Sequence, residues 1–162
     1  MFWEYIAGLF DGEGHVSIAL SHHGKIYPSV SITVRITNSD GESLLLIKDF
    51  LNKNKVVSFI SKYAIGTKKK GEYRTRDIYH LYIGSTEGVT LFCKNISPYS
   101  LIKKRQIEIA LEAVALKKTL WENNQCVKDN LDLFDKFRHE LHKLAHKGRK
   151  TLKIWPLHGQ TW

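Results

Sequence analysis

Residues 6–14 read Ile-Ala-Gly-Leu-Phe-Asp-Gly-Glu-Gly, and no other stretch constrains the fold as tightly. Between Phe2 and Phe10 there is no proline and one glycine, with apolar residues at 2, 3, 5, 6, 7, 9 and 10. A helix that is apolar almost all round is buried on most of its sides. Ala7 and Gly8 remove side-chain bulk where a neighbouring backbone could come close. Gly12 and Gly14 permit the turn that stops the helix. Asp11 and Glu13 then stand at the C-terminal end, where the helix dipole disfavours anions. Two carboxylates placed against the local field point to a cation beside them. A solvated turn, for which Asp and Gly are ordinary residues, is the plainer alternative.

The segment sits in a chain of 162 residues, the size of one domain with a full core. We expect a single domain over 1–162, divided into a core at 1–121 and a C-terminal helix with a basic tail at 122–162. Hydrophobic content of 43% and charged content of 25% suit a soluble globular protein. No apolar run reaches membrane-spanning length, and the N-terminus lacks a basic flank followed by an apolar stretch. The expectation is an intracellular protein with no membrane partner; organelle, nucleoid and nucleus are not distinguished. Cys93 and Cys126 make neither a disulfide framework nor a zinc site. Lys and Arg total 25 against 16 acids, a net of +9 with a pI near 9.5. Such an excess favours a polyanion, nucleic acid first and an anionic membrane surface second. There is no strongly amphipathic basic helix to argue for the membrane.

The coarse order is helix, two strands, helix, two strands, helix, then two longer helices and a tail. Along His15 to His22, Val16, Ile18 and Leu20 share one face; along Lys25 to Ile36, Ile26, Val30, Ile32, Val34 and Ile36 do. Period two marks half-buried antiparallel strands, with His23-Gly24 as their turn. Ser39-Asp-Gly-Glu42 reads as a capping box opening a helix through about Asn52. Val56 to Tyr63 and Arg74 to Ile83 form a second strand pair across a basic connection. Ser85 caps a short helix, Pro98 opens the next, and Val127, Leu131, Phe134, Arg138, Leu141 and Leu144 trace a stripe along the last. The fold class is α+β.

The polar face of the second strand carries Lys25, Tyr27, Ser29, Ser31, Thr33 and Arg35, with no acid among them. The first strand adds His15, Ser17, Ser21 and His23, and the second pair adds Arg74, Arg76 and His80. All can make hydrogen bonds, and none repels phosphate. A two-stranded ribbon fits the major groove, where each base pair shows its own donor–acceptor pattern. An ordinary solvated sheet face is the alternative. Lys103, Lys104 and Arg105 fall in the first turns of the helix opened near Pro98, where cations oppose the dipole. A nucleic-acid phosphate would compensate them; side chains directed into water would not need it.

With the motif, the repeated helix-strand-strand order and the acid-free face together, the chain resembles a single-motif LAGLIDADG homing endonuclease over roughly residues 1–120. The resemblance implies an αββαββα saddle with a four-stranded antiparallel sheet and extra C-terminal helices. It implies a homodimer whose motif helices pack across a twofold axis, with Ala7, Gly8 and Asp11 at the interface. It further implies an intron-encoded enzyme that binds a long pseudo-palindromic double-stranded DNA site and hydrolyses phosphodiesters with Mg²⁺.

On the matching positions, Glu13 is the metal ligand, a Glu where the family more often has Asp, and the carbonyl of Gly12 joins the coordination. Asp11 takes a structural role. Asn38, at the end of the second strand, positions water. Lys103 lies near the scissile phosphate, with Lys104 as the fallback should the register slip by one. Ser17, Ser21, His23, Lys25, Tyr27, Ser29, Ser31, Thr33, Arg35, Arg74, Arg76, His80 and Lys104 contact DNA. The rivals are an RNA maturase of the same fold, acting on intron RNA, and a non-catalytic DNA-binding protein. Maturase action on RNA should bring exposed aromatics for stacking.

Overall fold

A computed structural model describes residues 1–21, 28–64 and 76–146. The elements run α1 (Trp3–Glu13), β1 (Gly14–Ser21), β2 (Ser29–Asn38), α2 (Gly41–Lys53), β3 (Phe59–Tyr63), β4 (Ile78–Ile83), α3 (Thr86–Ile96), α4 (Lys104–Glu122), a 3₁₀ turn at Val127–Asn130 and α5 (Leu131–His146). This is the expected α+β class. The strands form one antiparallel sheet in the order β1-β2-β4-β3.

Alternation along the strands divides the sheet into two faces. Val16, Ile18, Val30, Ile32, Val34, Ile36, Leu81 and Ile83 point into the core and are buried there. They meet Ile6, Ala7 and Phe10 of α1, Leu44, Ile47 and Leu51 of α2, and Val89, Phe92 and Ile96 of α3. Ile107, Ala110 and Val114 of α4 join the same cluster. Edge-to-face rings of Trp3 on Phe50, 5.1 Å between centroids, and of Phe10 on Phe92, 5.7 Å, lock α1 to α2 and α3. α5 buries Phe134 and Leu141 and lies against the edge strand β1, covering a side of the sheet that would otherwise be open. Cys93 is buried, and burial pushes its thiol up to about 12.

Several elements depart from the sequence expectation. α1 is not buried all round: Ile6, Ala7 and Phe10 form its buried stripe, whereas Tyr5 and Gly8 are exposed. Gly14 does not serve as a left-handed stop, since its φ is −79°. It is glycine because a Cβ there would sit 2.1 Å from the ring of Phe10. α2 is capped by Asp40, not Ser39: the Asp40 carboxylate accepts from the backbone of Glu42 at 3.0 Å and of Ser43 at 3.3 Å. The regular part of β3 starts at Phe59, leaving Val56 to Ser58 outside it. Pro98 does not open α4, which begins six residues later at Lys104. Arg138 does not continue the buried stripe of α5; it is exposed and paired with Asp135. The His23-Gly24 turn, Lys25, Tyr27, Arg74, the basic connection through Lys68–Lys70 and the tail from Lys147 lie outside the described residues. Among those described, no helix is long and apolar enough to cross a membrane.

Candidate metal and nucleic-acid site

The site begins where α1 ends. Helix ends leave carbonyls without partners, and here a residue far along the chain supplies them. The Lys103 ammonium donates to the carbonyls of Phe10 at 2.9 Å, Gly12 at 3.3 Å and Gly14 at 2.7 Å. Burial draws this lysine below its ordinary value, while the charges of Asp11 and Glu13 pull it back up. Its cation thus offsets the unfavourable field that two acids meet at a helix C-terminus.

Asp11 turns away from any metal role. Its carboxylate accepts from the Ser100 hydroxyl at 2.5 Å and from the backbone N–H groups of Leu101 at 2.7 Å, Ile102 at 3.1 Å and Lys103 at 3.0 Å. Burial would raise its pKa, but these bonds outweigh it and hold the carboxyl below its usual 3.8. α4 has no side-chain cap of its own; Asp11 provides one from across the fold. This also explains the late start of α4, because residues 101–103 are spent on Asp11 before the helix begins.

Glu13, two residues on, is exposed. Among the described residues no group of three or more His, Cys, Asp or Glu side chains could hold a metal ion. Among the described residues, this helix end would present to a hard cation the Glu13 carboxylate and the Gly12 carbonyl, which also accepts from Lys103 at 3.3 Å. Both are oxygen donors of the kind Mg²⁺ takes, and Mg²⁺ completes its shell with water. Asn38 lies two residues past Ile36, which pairs with Gly14, so it ends β2 beside the C-terminus of α1. Its side-chain oxygen accepts the backbone N–H of Asp40 at 3.0 Å.

The sheet face away from the core is built in rows. Strand register aligns His15 with Arg35, Arg35 with Tyr82, and Tyr82 with Phe59. The next row is Thr37, His80 and Ser61, in which Thr37 and His80 share a 2.8 Å hydrogen bond. Toward the far end of β1 and β2 stand Ser17 opposite Thr33, Ala19 opposite Ser31 and Ser21 opposite Ser29. His15 is held below its ordinary pKa of 6.5 by burial, then by the charges of Arg35 and Lys103. No carboxylate belongs to these rows among the described residues.

Of the expected DNA contacts, Ser17, Ser21, Ser29, Ser31, Thr33, Arg35 and His80 share this face; His23, Lys25, Tyr27 and Arg74 lie outside the described residues. Arg76, just before β4, and Lys104, opening α4, are exposed. Arg105 is already compensated by carboxylates, with Glu140 and Glu112 each at 2.8 Å and Glu108 at 3.3 Å, so it needs no phosphate. Ala7 is fully buried in this chain's own core, and its methyl is unavailable to a second chain. Gly8 is exposed, and a Cβ there or at Gly12 would meet nothing within 4 Å. Sequence reasoning passed over Phe59 and Thr37 on the sheet face. The alternation Phe59, Ser61, Tyr63 carried the signal for Phe59.

The same architecture is found in solved homing endonucleases. I-CvuI in complex with the I-CreI target and Mg, with the DNA not cleaved, matches with a TM-score of 0.66 at 12% identity over 88% of this chain and 80% of that one. The archaeal intron-encoded homing endonuclease I-Vdi141I, complexed with DNA, gives 0.65 at 20% over 90% and 84%. The homing endonuclease I-TnaI gives 0.63 at 15% over 91% and 97%. No curated protein matches the sequence. The LAGLIDADG-like domain model matches residues 3–97, which takes in α1 through α3 and every row of the sheet face. The chain belongs to the LAGLIDADG-like domain family.

Proposed function

We propose that this protein is a site-specific homing endonuclease that acts as a homodimer and makes a Mg²⁺-dependent double-strand break in a long pseudo-palindromic DNA site. The observation that carries this reading is Glu13: an exposed carboxylate at the end of α1, beside an acid-free polar face, with its neighbour Asp11 fully engaged elsewhere. One such carboxylate is too few for a metal site, so a second chain completes it. The exposed side of α1 supports the pairing. Tyr5, Gly8, Leu9 and Gly12 follow helical spacing along one side. Glycine inside a helix is unfavourable by about 0.5–1 kcal/mol relative to Ala, and among the described residues nothing crowds Gly8 or Gly12. A partner's backbone approaching there accounts for both. Leu101 and Ile102, 88% and 78% exposed and bonded through their backbone N–H groups to Asp11, add exposed apolar area near the end of α1.

In this reading the chain binds, orients and balances charge. The Glu13 carboxylate and the Gly12 carbonyl hold the ion, which when bound stabilises the charge developing on phosphate during hydrolysis. Lys103 keeps a cation at the helix end next to the phosphate path. Asn38 is oriented by its bond to the Asp40 backbone and presents its amide group for water. Specificity is spread over the hydroxyl, imidazole and guanidinium groups of the sheet face.

The test is selection of cut sites from a randomised duplex library with Mg²⁺, with Ca²⁺ as the control ion. Enrichment of one pseudo-palindrome with Mg²⁺ supports the reading. Absence of cut products, together with tight binding to intron RNA, would transfer the function to RNA maturation.

A further inference from the structure

On the nuclease reading just given, we infer that Phe59 reads a pyrimidine C5 methyl group in the major groove of each half-site. Phe59 is a large apolar side chain that is 58% exposed on a face otherwise made mostly of hydroxyls, imidazoles and a guanidinium. It is not a loose surface residue. Its ring stacks on Tyr82 with centroids 5.0 Å apart and planes 18° from parallel.

Tyr82 is placed by the strand register, between Arg35 on one side and Phe59 on the other. Tyr63 meets His80 edge-on at 4.8 Å, and His80 lies 5.8 Å from Tyr82. The β3–β4 half of the face is therefore an aromatic platform, and Phe59 is the member that offers no polar group. A ring fixed before binding loses little conformational freedom on contact.

What such a ring can recognise follows from the groove. The base-pair edges there show hydrogen-bond donors and acceptors, and one apolar feature, the C5 methyl of thymine. A fixed phenyl edge beside hydrogen-bonding neighbours complements that methyl and gains nothing from cytosine or a purine edge. The Arg35 guanidinium in the same row suits guanine, so Arg35 and Phe59 divide one row between a polar and an apolar reading. The surrounding face is acid-free and the chain carries +9, which selects a polyanion as the occupant over an apolar protein surface. The C5 methyl has two sources in DNA, thymine and 5-methylcytosine, and the experiment separates them.

The test uses the full-length protein and its selected duplex. Each thymine is replaced in turn, with its symmetry mate, by deoxyuridine, which removes only the methyl. For wild type, one symmetric pair should lower affinity by about fourfold per half-site, the worth of one buried methyl, while other positions respond less. Phe59→Ala should bind the thymine and deoxyuridine duplexes equally at that pair, and Phe59→Leu should keep the difference. Replacing that pair by C·G should weaken binding, and 5-methylcytosine at the same place should recover part of the loss; recovery without any deoxyuridine effect would assign the contact to methylated cytosine. Thermal melting confirms that the variants fold. If wild type and Phe59→Ala respond identically to deoxyuridine at every position, Phe59 does not read a methyl, although the protein still cuts. If no duplex is bound or cut, the nuclease reading falls and this one falls with it.

Discussion

Asp11 and Lys103 each complete the helix that the other belongs to or adjoins. The Asp11 carboxylate accepts the Lys103 backbone N–H at 3.0 Å, capping α4, while the Lys103 ammonium takes up the carbonyls of Phe10, Gly12 and Gly14 at the end of α1. The exchange crosses two helix termini of opposite polarity, so each side chain meets a dipole that favours its charge. It holds the backbone around Gly12 and Glu13 in one geometry.

Asp11→Ala should therefore destabilise the fold by about 1–2 kcal/mol, in the range of a lost helix cap. Urea unfolding monitored by circular dichroism measures it. Ser100→Ala, which removes one of the four bonds, should lose clearly less. Equal losses would mean that the backbone contacts contribute nothing.

The same carboxylate sets an acid limit. Burial raises its pKa and the bonds from Ser100, Leu101, Ile102 and Lys103 lower it further, below 3.8. Above 3.8 the contribution to stability is fully present. As pH falls below 3.8 the unfolded chain takes up the proton first, and the contribution is lost through the lower folded value. Asp11→Asn should flatten the stability profile in that window. His15, lowered from 6.5 by burial and then by Arg35 and Lys103, adds a second slope: the unfolded chain protonates first below 6.5, so the fold loses stability there. An NMR titration of His15 with a midpoint at or above 6.5 would contradict this.

Glu13→Gln keeps the size and hydrogen-bonding reach of the side chain and removes its charge. Cleavage with Mg²⁺ should fall by at least about a hundredfold, the scale of losing one preorganised electrostatic group at the reacting centre. Affinity for the selected duplex in Ca²⁺ should change little, because the recognition face is untouched. Cutting at the wild-type rate would remove Glu13 from the metal site.

Arg35 stands between His15 and Tyr82 in one row. Arg35→Ala should cost roughly 1–3 kcal/mol and relax readout at one symmetric pair of positions. Competition binding against single-position libraries reports both effects. A uniform loss over all sequences would make Arg35 a phosphate contact instead.

How far the residues alone disclose this arrangement depends on the distance over which each partner acts. The alternation in β1 and β2, the capped start of α2 near Asp40 and the acid-free face are local patterns, and each is present in the structure within a few residues of its expected place. The motif helix was legible too, although it runs on through Gly12 to Glu13. What a local pattern cannot carry is a partner 89 to 93 residues away, the separation between Asp11 or Phe10 and the segment Ser100 to Lys103. Pro98 looked like a helix start because its neighbours up to Trp121 are good helix formers. Asp11 overrides that by claiming the N–H groups in between. The small size of Ala7 and the resemblance both point to a helix interface, and only the packing of α1 against the core shows its methyl facing inward. Phe59 alternates with Ser61 and Tyr63, but which face of the sheet that alternation takes is fixed only by the register with Tyr82.

The clasp between Asp11 and the segment before α4 also decides when the site comes into being. The contact closes a loop of 92 residues, and closure entropy of that size is met only when much of the native topology is in place. At 11 residues the motif helix is too short to be stable on its own, and its C-terminal end stays unshaped until Lys103 has been synthesised and docked. Amino-terminal fragments of this chain therefore carry the signature residues without the geometry that makes them act together.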